Sequence, residues 1–294
     1  MIRKSRTVAD AGAIALAASI LLTGMLLPAS AQAAPTAIAT TPTASQASAV
    51  LSYVALGDSY AAGQGAPPYE DPVCLQSPQS YPELLDDAAG IALTVDVSCS
   101  GATTTNVLTR QLPAVVKTVR KTSGIGLVTL TVGANDLGAG AVAAYCSVSF
   151  VSPECQAALN KAIALLTPQS PRIPSKMALR LGATFAGVAL VAPKARILVT
   201  GYPYLFETPP PSDPNYAAIA QLNGATAALN ATISSVAGQL ARARVNIRYV
   251  DVTAAFAGHS VGSPVPWLNV AGPDAFHPNA AGYQAYARTL TAAR

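Results

Sequence analysis

At 294 residues the chain can hold one large domain or two small ones, and a composition 51% hydrophobic and 11% charged excludes an intrinsically disordered chain. The formal charge of +4 falls to about +2 once Arg3, Lys4, Arg6 and Asp10 leave with an N-terminal leader. No cluster of Lys and Arg with interleaved aromatics remains, so nucleic acid is not an expected partner.

Residues 1–33 read as a secretory signal peptide. Arg3, Lys4 and Arg6 form its positive end, Ala11 to Leu27 its apolar stretch, and Ala31-Gln32-Ala33 the small-residue site that places cleavage near Ala33. The apolar stretch is short for a span of about 20 residues and is broken by Thr23, Gly24 and Pro28, so no stable membrane anchor is expected. Residues 34–50, rich in Ala, Thr, Pro and Ser, read as a flexible leader into a single domain, residues 51–294. The expected location is extracellular.

From Leu51 onward strand-like and helix-like segments alternate. Leu51–Leu56 is a short apolar run bounded by Gly57, the pattern of a fully buried strand. Tyr81–Ala89 follows as a helix, with Pro82 suited to its first turn. Leu93–Val97 is the second strand, and Asn106–Val119 a helix that Pro113 kinks or divides. Ile125–Thr131 is the third strand. Gly138 to Pro171 then interrupts the alternation with a small cysteine loop and a short helix around Gln156–Leu166. Lys176–Val191 is a helix, Arg196–Thr200 the fourth strand, and Pro203–Pro214 an extended surface loop. Asn215–Arg244 is a long helix with apolar residues three and four apart; Asn246–Val250 is the fifth strand and Asn279–Leu290 the closing helix. The alternation implies an α/β domain, a parallel sheet with helices on both faces. Neither a heptad nor a long apolar stripe calls for assembly, so a monomer is expected.

The four cysteines, Cys74, Cys99, Cys146 and Cys155, permit three pairings. In an oxidising compartment two disulfides are the economical reading. The sequential pairing Cys74–Cys99 and Cys146–Cys155 is favoured because Cys146 and Cys155 bracket one short loop. Neither a Cys-x-x-Cys nor a nearby His suggests zinc, and no metal or other cofactor is expected.

Polar clusters follow the first three strands: Gly57-Asp58-Ser59, Ser98-Cys99-Ser100-Gly101-Ala102-Thr103, and Val132-Gly133-Ala134-Asn135-Asp136. A fourth, Asp274-Ala275-Phe276-His277-Pro278-Asn279, precedes the last helix. Carboxyl ends of parallel strands share one edge, where ligands gather. A serine hydroxyl becomes a good nucleophile when a base takes its proton, and His is the usual base near neutral pH. Of the two histidines, His277 lies three residues after Asp274, whereas His259 has no close carboxylate in sequence and reads as a loop residue. Backbone N–H groups of Ser59 and Gly101 and the side chain of Asn135 suit a developing oxyanion. Taken singly, Gly101 reads first as a strand-end breaker and Asn135-Asp136 as a turn. Asp58, adjacent to the serine, is poorly placed to orient His277 and reads as a brace of the turn.

Gly57-Asp58-Ser59-Tyr60, the Gly101 block, Gly133-x-Asn135-Asp136 and Asp274-x-x-His277 together resemble, in order, the four signature blocks of the SGNH hydrolases, also called GDSL esterases and lipases. The resemblance covers the chain from Leu51 to its end. It implies a flavodoxin-like three-layer α/β/α fold around a five-stranded parallel sheet. It also implies Ser59 as nucleophile, His277 as base, Asp274 as its orienting acid, and Ser59 N–H, Gly101 N–H and Asn135 as oxyanion hole. In some members a backbone carbonyl takes the acid's place. Secreted bacterial lipases are especially similar, including disulfides like those expected here; a third disulfide found in some of them has no cysteines in this chain. The final glycine of Gly-x-Ser-x-Gly is missing, which disfavours the nucleophile-elbow hydrolases. The expectation is a secreted serine esterase or lipase acting on small-molecule or lipid esters through an acyl-Ser59 intermediate. Tyr60, Leu137 and the Pro203–Pro214 loop are candidate cleft walls. The alternatives are a carbohydrate O-acetyl esterase, which the single Trp267 does little to support, and a non-catalytic extracellular binding protein on the same scaffold.

Overall fold

Five strands pair in parallel in the order β2-β1-β3-β4-β5: β1 Leu51–Gly57, β2 Ile91–Asp96, β3 Ile125–Thr131, β4 Arg196–Thr200 and β5 Ile247–Val250. They belong to a computed structural model that describes residues 50–86, 90–119 and 124–294. The expected signal peptide, and all of the expected leader but Val50, lie outside the described residues. This strand order is the flavodoxin-like one, with its reversal between β1 and β3. The centre of the sheet is buried because its central strands are. Tyr53 to Gly57 and Leu127 to Thr131 are all inaccessible to solvent, as continuous Val/Leu/Ile runs covered on both faces must be. β2 begins two residues before the expected Leu93 and ends one before Val97, because Leu51 pairs with Ile91 and so extends the ladder backwards.

Right-handed crossovers place the β1–β2 connection on one face and the later connections on the other. The packing agrees: α2 (Tyr81–Asp86) lies against α9 (Ala280–Ala293), while α7 (Lys176–Val191) lies against α4 (Leu112–Thr118) and α8 (Tyr216–Arg242). The expected end of the helix at 87–89 lies outside the described residues. Pro113 has the effect anticipated for it. The expected helix is divided into α3 (Thr104–Asn106), a wide π turn over Val107–Gln111, and α4, with Pro113 in the first turn of α4. α3 starts on a capping box in which Thr103 and Asn106 bond each other's backbone N–H.

Two helices escape the periodicity reading. α1 (Ser59–Ala62) is a single turn closed by Gly63. α5 (Ala139–Cys146) is built from Ala-Gly-Ala-Val-Ala-Ala-Tyr-Cys and buries only Val142 and Cys146, so it has no apolar stripe to detect. It leads to α6 (Pro153–Leu166), capped by Ser152, which accepts from the N–H of Cys155. Cys146 and Cys155 are bonded, tying the end of α5 to the first turn of α6. Cys74 and Cys99 are also bonded, joining the loop after α1 to the loop after β2. Each crosslink contributes about 3 kcal/mol, mainly by constraining the unfolded chain. The Pro203–Pro214 loop is irregular; its first residue is buried, Tyr204 is exposed, and Phe206 bridges to Val261.

Candidate active site

The site begins with the sharp exit of β1. Gly57 has φ +138°, and a Cβ there would sit 2.3 Å from the Thr131 carbonyl oxygen, so only glycine fits. Both of its backbone groups are held by one buried side chain: the N–H donates to Gln111 Oε1 (3.0 Å) and the carbonyl accepts from Gln111 Nε2 (2.7 Å). Gln111 ends the wide π turn, so the irregularity in that helix aims an amide at the turn that carries the serine. Asp58 caps α1, Oδ1 accepting from Tyr60 N–H at 3.0 Å, and its Oδ2 accepts from the Tyr202 hydroxyl at 2.6 Å. Burial pushes the Asp58 carboxyl up to about 7 despite these donors. Asp58 therefore braces the turn.

Ser59 Oγ lies 2.8 Å from Nε2 of His277, 218 residues away in the chain. On the other side of the ring Nδ1 meets the backbone carbonyl of Ala275 at 3.1 Å. With Nδ1–H donating to that carbonyl, Nε2 is left as the acceptor of the serine proton. Burial lowers the His277 pKa, opposed by the carbonyls of Ala275 and Asp274 and by the charge of Asp274. The imidazole is thus neutral near pH 7 and able to act as a base.

The expectation that the Asp274 carboxylate orients this imidazole is corrected. Oδ1 of Asp274 accepts from Gln64 Nε2 at 3.3 Å. The reason is local. His277 N–H closes a turn onto the Asp274 carbonyl, which brings the Ala275 carbonyl, two residues away, under Nδ1. The carboxylate is left outside that turn, where it acts through charge.

Ser59, Gly101, Asn135 and His277 line one cavity of about 300 Å³. Gly101, at φ +78°, occupies the left-handed region, and neither its N–H nor that of Ser59 is taken up by a protein acceptor among the described residues. Asn135 Nδ2 donates one hydrogen to the Ala102 carbonyl at 3.0 Å, which leaves its second for a ligand. Next to it Asp136 accepts from both the N–H (2.8 Å) and the hydroxyl (2.6 Å) of Thr104, fastening the β3 turn to the start of α3. His259 lies apart from this group; it stacks on Trp267 with centroids 3.6 Å apart and bonds the Val265 carbonyl.

Gln64 and Tyr202 were not foreseen, nor was the bracing role of Tyr60. Gln64 accepts from Ser100 Oγ (2.7 Å) and donates to Asp274, so it links the Gly101 loop to the His277 loop. The Tyr60 hydroxyl donates to the Phe276 carbonyl at 2.6 Å, holding the residue before His277; Phe276 has φ +67°, an unusual value for a side chain of its size. Tyr202 joins Asp58 to the N–H of Ala134, tying the serine turn to the asparagine turn. Gln64 is signalled by a lone amide in the small-residue stretch after Ser59; nothing around Tyr202 in the sequence marks it.

Beyond the polar floor the cavity is apolar. Leu137, Val142, Leu159, Leu205, Leu222 and Phe276 line it, drawn from the turn after β3, α5, α6, the loop after β4, α8 and the loop before α9. Tyr60 and Leu137, expected as walls, are both in the lining, and the Pro203–Pro214 loop contributes Pro203 and Leu205.

A family model described as "GDSL-like Lipase/Acylhydrolase family" matches residues 55–285, from the middle of β1 to the first half of α9. The chain belongs to the GDSL family. It is 30% identical over 291 residues to "Lipase 1" of Streptomyces coelicolor, covering 95% of each chain. Two solved structures cover 83% of it: phospholipase A1 from Streptomyces albidoflavus (33% identical, TM-score 0.70, 99% of that chain) and an extracellular lipase from Streptomyces rimosus (31%, TM-score 0.70, 100% of that chain). This GDSL protein is a carboxylic ester hydrolase with the five-stranded α/β fold of its relatives. No helix among its described residues is long and apolar enough to cross a membrane.

Proposed function

We propose that the protein is a secreted serine lipase or esterase that hydrolyses acyl esters through a covalent intermediate on Ser59. One observation carries this reading: Nε2 of a neutral His277 lies 2.8 Å from Ser59 Oγ at the polar end of an apolar cavity. The ester carbonyl sits over Ser59 with its acyl chain toward Leu137, Val142 and Leu222. Ser59 Oγ attacks the carbonyl carbon as its proton passes to Nε2, and the carbonyl π pair moves onto oxygen. The N–H groups of Ser59 and Gly101 and Nδ2 of Asn135 receive that oxyanion. The Ala275 carbonyl stabilises the imidazolium through Nδ1–H. Collapse breaks the bond to the alkoxy oxygen, which leaves as the alcohol with the proton from Nε2. Water then attacks the acyl carbon and gives a proton to Nε2; the second collapse releases the acid and returns a proton to Ser59.

Export by residues 1–33 is part of this reading. Two disulfides belong to an oxidising compartment, and the Streptomyces rimosus relative is described as extracellular. The carbohydrate esterase alternative gains nothing from a lining of Leu, Val and Phe. A non-catalytic binder has no need of a serine within hydrogen-bond distance of a neutral imidazole.

The test is Ser59→Ala. Turnover of p-nitrophenyl esters should drop by at least about 10⁴-fold with the thermal unfolding profile retained. A fluorophosphonate should label the wild type and leave the variant unlabelled. Undiminished turnover, or no labelling of the wild type, overturns the proposal.

A further inference from the structure

The cavity above Ser59 reaches the seam between α6 and α8, where Leu159 and Ala162 face Leu222 and Leu229. A second concavity of about 440 Å³ lies along the same two helices, lined by Ile163 and Leu166 on one side and Gln221, Gly224 and Ala228 on the other. Ala225 lines both. Helix geometry explains the sharing. Leu222, Ala225, Thr226 and Leu229 form one face of α8 at spacings of three and four, and Gln221, Gly224, Ala225 and Ala228 form the adjacent face. From α8, only a methyl group stands where the two faces meet. The second lining contains no charged residue, and Gly224 and Ala228 are exposed, so the space is an open groove.

We propose that this groove is the distal half of the acyl site. A long fatty chain bonded at Ser59 passes Leu229 and Leu222, crosses the seam beside Ala225, and lays its tail along Ile163 and Leu166. The occupant is the substrate's own hydrocarbon chain, because the groove shares its Ala225 wall with the cavity and is lined without a charged residue. The inference rests on the reading of Ser59 as the nucleophile of an ester hydrolase, and it narrows the substrate class to long-chain acyl esters. Burying one more methylene is worth roughly fourfold in binding. A chain longer than the cavity gains that increment only if the groove receives it.

The experiment compares kcat/KM for p-nitrophenyl butyrate, octanoate and palmitate in the wild type, Ala225→Leu and Gly224→Leu. Gly224 makes a clean probe. A Cβ added there meets no atom within 4 Å, and losing a helical glycine favours α8, so the variant folds. The palmitate-to-butyrate ratio should fall at least tenfold in both variants, with octanoate less affected in Gly224→Leu than in Ala225→Leu. A ratio within twofold of wild type in Gly224→Leu overturns the groove, even if Ala225→Leu lowers it, since the chain then ends inside the cavity. A wild type that hydrolyses none of the three esters overturns the reading of Ser59 and the groove together.

Discussion

His277 has a carbonyl where many serine hydrolases have a carboxylate, and this sets its chemistry. A backbone carbonyl fixes the tautomer as well as an acid does, but it carries a dipole in place of a full charge. Asp274 still contributes through its field. Asp274→Ala should therefore lower kcat by less than about tenfold, against about 10⁴-fold where a carboxylate holds the ring. It should also move the acid limb of the pH–rate profile downward, because a charge that raises the His277 pKa is removed. Steady-state kinetics against pH reads both effects. A loss near 10⁴-fold would return Asp274 to the triad. In the wild type burial holds the imidazole pKa below 6.5. The acid limb of kcat/KM should therefore have its midpoint below that of an ordinary imidazole. A midpoint above 6.5 would contradict the burial argument.

At the scale of elements, the irregular pieces carry the site. The wide turn Val107–Gln111 costs α3 and α4 their continuity and in exchange brings Gln111 to both backbone groups of Gly57. Gln111→Ala leaves a buried N–H without its acceptor, a loss of about 1–3 kcal/mol in urea unfolding. The same variant should lower kcat, since Gly57 sets where Ser59 emerges; unchanged stability and rate would make the amide dispensable. Helix α5 repeats the lesson from the other side. Its small residues bury little, yet Val142 and Ala143 wall the acyl cavity, held in place by the bond from Cys146 to Cys155 in α6.

For the whole molecule, the parallel sheet sets both geometry and titration. Asp96, at the end of β2, is pushed up to about 7 by burial, although the Ser98 N–H donates to it at 2.8 Å. Its ordinary value is 3.8, so between about pH 4 and 7 the folded chain holds a proton that the unfolded chain releases. Stability then falls as pH rises through that window. Asp96→Asn keeps an acceptor for Ser98 and removes the titration. Denaturant unfolding at pH 4 and 7 should show the wild type losing stability relative to the variant as pH rises; parallel curves would refute the assignment.

Much of this was legible in the chain itself. Short apolar runs predicted five strands within two residues, since strands covered on both faces are built mostly from apolar side chains. The four polar blocks, three at strand ends and one before the last helix, marked the candidate chemistry, because residue types suited to acyl transfer are few and their order along the chain is visible. Other features left no trace. α5 lacks the stripe that marks a helix, and no local pattern marks Tyr202, whose hydroxyl meets Asp58 144 residues away. The sequence by itself determined the strands and offered the serine, the histidine and the oxyanion donors as candidates. Only the tertiary structure decided which group faces Nδ1, because Asp274 and Ala275 both lie within three residues of His277 and the fold of that turn sets carboxylate against carbonyl. It alone brought α5, α6 and α8 together as the walls of the acyl cavity, because that space belongs to the distances between elements and to no single stretch of residues.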